Sequence, residues 1–154
     1  MRLPSDSTTD SAADSTAALD VLACVRSLAV ASRHVLARLA DPGTRVRLGR
    51  VGDRCARALE ELERALEGVQ ASTSARPLAV GLRRASPGLR SVSTVGGAGA
   101  DLCLLLELDV LAARLQARIE GLLAHDVPPA LRGTLGTLSA LVREIRAEYE
   151  LYAA

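Results

Sequence analysis

Apolar and polar positions alternate along this chain at helical spacing. The longest stretch of the pattern lies between Asp41 and Gln70, where Leu48, Val51, Cys55, Ala58, Leu62, Ala65 and Val69 recur in steps of three and four. That spacing places them on one seam of a long helix. Arg50, Arg54, Arg57, Glu60, Glu61 and Glu67 fill the opposite face. Asp41-Pro42 supplies a side-chain cap and then a proline at the first helical position. A seam of this length needs helices of similar length to cover it.

The same period appears three more times. Leu22, Val25, Ala29, Ser32, Leu36 and Leu39 share a seam flanked by Val21, Leu28 and Val35, which predicts a helix over 15–40 capped by Ser15 or Thr16. Leu105, Leu108, Ala112, Leu115, Ile119 and Leu122 predict a helix over 101–124, with Asp101 as its cap. Leu131, Leu135, Leu138, Val142, Ile145, Tyr149 and Tyr152 predict a last helix over 129–152, opened by Pro128-Pro129. Gly133 and Gly136 each cost that helix about 1 kcal/mol relative to Ala, and suit the close approach of a neighbour.

Between these stretches the pattern breaks. Residues 1–14 are small, polar and aperiodic and read as a disordered tail. Residues 71–99 hold Pro77, Pro87, Gly88, Gly96, Gly97 and Gly99 and read as a long crossover, with a short helix from Pro77 to Ser86. A connection of that length can run back along a bundle and set the third helix parallel to the second. Asp41-Pro42-Gly43 and Asp126-Val127-Pro128-Pro129 are short turns, so each joins an antiparallel pair. The predicted fold is all-α: an antiparallel four-helix bundle over residues 15–154 with one long crossover, the connectivity of ferritin-like bundles.

Composition narrows the function. The chain has 154 residues, room for one domain. It has no Phe, Trp, Lys or Asn, and all 19 basic residues are Arg, so the core is aliphatic. A net charge of +1 argues against a protein built to bind nucleic acid or an acidic membrane. Cys24, Cys55 and Cys103 sit on apolar stretches of three helices, without metal-site spacing and in odd number, and read as free thiols of a cytoplasmic protein. The polar, acidic N-terminus does not read as a signal peptide, and the longest apolar run, Leu102 to Leu106, is too short to span a bilayer.

A family resemblance accompanies this pattern. It is carried by Leu39-Ala40-Asp41-Pro42, by Arg54 with Glu60-Glu61-Leu62, and by Gly81-Leu82-Arg83-Arg84. The break Leu123-Ala124-His125-Asp126-Val127-Pro128-Pro129 and the run Arg143-Glu144-Ile145-Arg146 complete it. In order and spacing these resemble a bacterial ferritin-like group of small four-helix proteins classed as a domain of unknown function, over about residues 16–148. The resemblance implies a bundle, and in the wider superfamily a di-metal centre built from Glu and Glu-x-x-His ligands. This chain has no Glu-x-x-His, and Ala29 and Val142 fall at inward ligand positions. It resembles a member without the metal centre.

The chemistry-bearing residues are few. His34 and His125 lie near helix C-termini, where an imidazolium favours the dipole. Glu107 and Asp109 stand in the apolar start of the third helix as candidate functional or interface carboxylates. Two positions apart, they cannot converge on one ion, and Glu107 can pair with an Arg across an interface. Cys24 and Cys55 lie on core seams, where thiols are unreactive. Gly96-Gly97-Ala98-Gly99 lacks the strand and Lys-Ser/Thr of a phosphate loop and reads as a hinge.

Leu102, Leu104, Leu106, Tyr149 and Tyr152 are the candidate interface residues, because the third helix is apolar nearly all round at its start. The expectation is a non-catalytic interaction or scaffold protein without a cofactor, forming a homodimer through the third helix or binding another protein. One alternative is a ferritin-like iron or manganese protein of storage or stress response. Another binds a small molecule in the bundle core.

Overall fold

Each apolar seam is covered by two neighbouring helices. The computed structural model describes residues 7–72 and 98–154. Over these the chain forms α1 (Ser7–Arg38), α2 (Pro42–Ser72), α3 (Ala98–Leu123) and α4 (Pro129–Ala153), with no strand among the described residues. Helix α1 packs on α2 and α3, and α4 packs on the same two, so the order around the bundle is α1, α2, α4, α3. The expected crossover helix from Pro77 to Ser86 lies outside the described residues. No described helix is long and apolar enough to cross a membrane.

The four seams meet in one aliphatic core. Val21, Leu28, Val35, Leu62, Leu105, Leu108, Leu115, Ile119, Leu135 and Leu138 are among its fully enclosed side chains. Val21, Leu28 and Val35, expected on the flank of the α1 seam, are among its most buried residues, because α1 is covered from two sides. Helix α1 begins at Ser7, ahead of the expected start at residue 15. Residues 7–14 carry no apolar period, but extending a formed helix adds one hydrogen bond per residue without a new nucleus. Residues 1–6 of the expected tail lie outside the described residues. Gly133 and Gly136 are not sites of close approach: a Cβ at either would meet nothing within 4 Å.

Every seam carries an ion pair on its rim. Arg26 of α1 meets Glu63 of α2 at 2.6 Å, and Arg118 of α3 meets Asp20 of α1 at 2.6 Å. Arg47 and Arg54 of α2 meet Glu148 and Glu144 of α4 at 2.9 and 2.7 Å. Arg146 of α4 donates to Asp109 of α3 at 3.0 Å. Most of these groups are half-exposed, so each pair contributes little stability. Their placement favours one sliding register at each seam.

The turn between α1 and α2 is closed by three groups. Asp41 accepts from the Thr44 amide at 2.6 Å, capping α2 as its position before Pro42 requires. The hydrogen bond from the Thr44 side chain, then that from its amide, hold the Asp41 carboxyl below its ordinary range. Arg45 donates to the Leu39 carbonyl at the end of α1. The third group comes from α3. Asp101, expected to cap its own helix, accepts instead from the amides of Ala40 and Asp41 at 2.9 Å. Helix α3 starts at Ala98, which leaves Asp101 in its first turn, free to reach the neighbouring turn and favoured there by the helix dipole.

Candidate functional site

The middle of the bundle presents methyl groups. Ala29 and Val142 are both buried, and among the described residues the buried polar side chains are Ser32, Thr44, Asp101 and Thr134. Thr134 donates to the carbonyl of Ala130 in its own helix at 3.2 Å. Among the described residues no three His, Cys, Asp or Glu side chains gather where one ion could touch them. His34 accepts from Arg38 at 3.2 Å on the surface of α1, and His125 is exposed in the α3–α4 turn.

The two singled-out carboxylates part company. Asp109 is held by Arg146 of α4 and has a structural partner. Glu107 is half-buried on the side of α3 that turns toward α1, and makes no hydrogen bond or ion pair with any described residue. Asp101, the most buried carboxylate among the described residues, joins three elements. It is 2% exposed, accepts from the α1–α2 turn, and accepts from the Tyr152 hydroxyl of α4 at 3.4 Å. Sequence spacing held no signal for this role, since its partners lie 51 to 61 positions away.

The five expected interface residues divide in the same way. Leu104 is buried in the core and offers nothing to a partner, which corrects its expected place at an interface. An all-apolar helix start hides which of its faces points inward. Tyr149 and Tyr152 are half-buried against the core rather than open. Desolvation at the bundle end, then the charge of Asp101, push the Tyr152 hydroxyl above its ordinary value. Leu102 is half-buried and Leu106 is 45% exposed. Val110, one turn beyond Leu106, is 43% exposed, and Cys103 is exposed one turn before it.

These residues lie on the outer face of α3, which continues through Ala113, Ala117 and Gly121 without a charge. Charged groups flank it. Glu107, Arg114 and Arg118 follow one edge, and Asp109 and Glu120 the other. Val110 on this face and Arg114 at its edge are not among the residues singled out from the sequence. The signal was present as the seven-residue step from Glu107 to Arg114 and the four-residue step from Leu106 to Val110.

The thiols differ in setting. Burial pushes the Cys55 thiol up to about 11, against an ordinary value of 9.0, and burial also raises Cys24 despite the opposing charges of Arg118 and Arg114. Neither is prepared as a nucleophile. A raised folded value means that the unfolded chain loses the proton first. Stability therefore holds below pH 9 and falls as the pH rises from 9 to 11, by about 2–3 kcal/mol for Cys55. The chain has no lysine to titrate in that window. Urea unfolding at pH 8.5 and 11 checks this, with Cys55→Val expected to flatten the decline.

No family model, no curated protein and no solved structure matches this chain.

Proposed function

We propose that the protein is a non-catalytic, cytoplasmic helical-bundle module that acts by self-association through α3. The observation that carries this reading is the uncharged outer face of that helix, with Leu106 and Val110 both exposed in the single chain. Exposed apolar side chains in one row mark contact surfaces more often than scattered ones do.

The bundle is read as antiparallel with ferritin-like connectivity. The ordering of the contacts supports this. From Arg47 to Arg54 along α2, the α4 partners fall back from Glu148 to Glu144. Asp20 with Arg118, and Ala40 with Asp101, run in opposite senses along α1 and α3. Tyr152, Arg146 and Ser139 of α4 meet Asp101, Asp109 and Gln116 of α3 in reversed order. Helices α2 and α3 then point the same way, as they do in bundles with one long crossover between the second and third helices. The resemblance to the ferritin-like group of unknown function fits this plan, and Ala29 and Val142 at inward positions fit a member without the di-metal centre.

Two measurements on the purified chain test the reading. Light scattering is expected to show a mass that rises toward twice 16.1 kDa with concentration. Metal analysis after loading with iron or manganese is expected to show no stoichiometric binding. A constant monomer mass overturns self-association. About two metal equivalents per chain favour the storage or stress-response alternative instead.

A further inference from the structure

We infer that the occupant of the α3 face is a second copy of this chain, docked across a two-fold axis at Val110 with the two α3 helices antiparallel, so that Glu107 of each copy meets Arg114 of the other. This inference rests on the self-association reading above and adds the register and the residues that set it.

Charge complementarity carries it first. Glu107 and Arg114 have opposite signs and no hydrogen bond or ion pair with any described residue. They are seven residues apart, which puts them on the same edge of the face about two turns from each other. A two-fold axis perpendicular to two antiparallel helices keeps each edge on its own side and reverses its direction. Position 107 of one chain then faces position 114 of the other, and the contact occurs twice, as an isologous interface demands. A parallel pairing in register would instead set the Glu107 edge of one copy against the Asp109 edge of the other, carboxylate beside carboxylate.

Side-chain size gives the same axis. The bulky residues of the face lie toward its N-terminal half and the small ones toward its C-terminal half. Antiparallel pairing about Val110 sets Leu106 against Ala113, Cys103 against Ala117, and Gly99 against Gly121. Leu106 and Cys103 meet alanines on both sides of the axis and glycine meets glycine at each end, which lets the two helices approach closely. Val110 alone meets its own copy. A contact of one helix pair is small for a protein interface, so the dimer forms and dissociates with concentration.

Sedimentation velocity over a concentration series, at low and at high salt, tests the pairing. Glu107→Arg and Arg114→Glu are each expected to weaken the dimer about tenfold or more, since each sets like charges together twice. An equimolar mixture of the two variant chains is expected to associate about as well as the wild type, because a mixed dimer holds two attractive pairs. The double variant is expected to recover for the same reason. Val110→Arg is expected to abolish the dimer by stacking like charges on the axis. Circular dichroism monitors folding of each variant, and Glu107→Gln and Arg114→Gln replace any reversal that fails to fold, each with an expected severalfold loss. Single reversals that associate like the wild type, or a mixture that stays as weak as its components, overturn the register and leave self-association standing. A wild-type chain that is monomeric at every concentration, as it would be if its own residues 73–97 filled the face, overturns both.

Discussion

Asp101→Ala is expected to lower the unfolding free energy by about 3 kcal/mol and the melting temperature by roughly 6–12 °C. The carboxylate is 2% exposed and takes hydrogen bonds from two backbone amides of the α1–α2 turn and from the Tyr152 hydroxyl. Truncation removes all three contacts and leaves the Ala40 and Asp41 amides without their acceptor. It also removes a negative charge from the first turn of α3, where the helix dipole favours one. Asp101→Asn should recover only part of the loss, because its amide group points donors at donors. Tyr152→Phe should change stability far less, since its bond to Asp101 is long at 3.4 Å. Thermal unfolding of the three variants ranks these effects. An Asp101→Ala protein melting within about 2 °C of the wild type would remove this carboxylate from the account of how the elements are tied together.

Leu115→Ala is expected to cost about 3–5 kcal/mol, the range for a fully enclosed leucine whose site cannot collapse. Leu115 is 0% exposed in the middle of α3, and the residues around it belong to helices held on two sides. The informative comparison is Leu106→Ala on the outer face of the same helix. Leu106 is 45% exposed, so its truncation should leave the denaturation midpoint nearly unchanged while weakening self-association. Urea titration and sedimentation on both variants separate the two faces of α3. A Leu106→Ala variant as unstable as Leu115→Ala would mean that the outer face is packed within the chain.

Helical segments and their seams were legible because burial imposes a 3.6-residue period on the residue types themselves. Leu108, Leu115 and Ile119, read as a seam, are all enclosed. Asp41 was legible as a cap because a cap's partner lies three residues away, at Thr44. Leu104 was not legible: where every neighbour is apolar, the period carries no phase, and only packing selects the face that turns inward. The candidate face was half legible. Leu106 stood out as surplus apolar surface, whereas Arg114 acquires meaning only when the helix edge it shares with Glu107 is known to be open.

The amino-acid sequence by itself determined the helices and their aliphatic seams, since these follow from local spacing and from which apolar side chains exist to be buried. Tertiary structure alone decided which carboxylate is enclosed, which arginine answers which acid across each seam, and which face of α3 is left bare. Those outcomes depend on contacts between residues tens of positions apart, and a distance in space of that kind is not written in any local period.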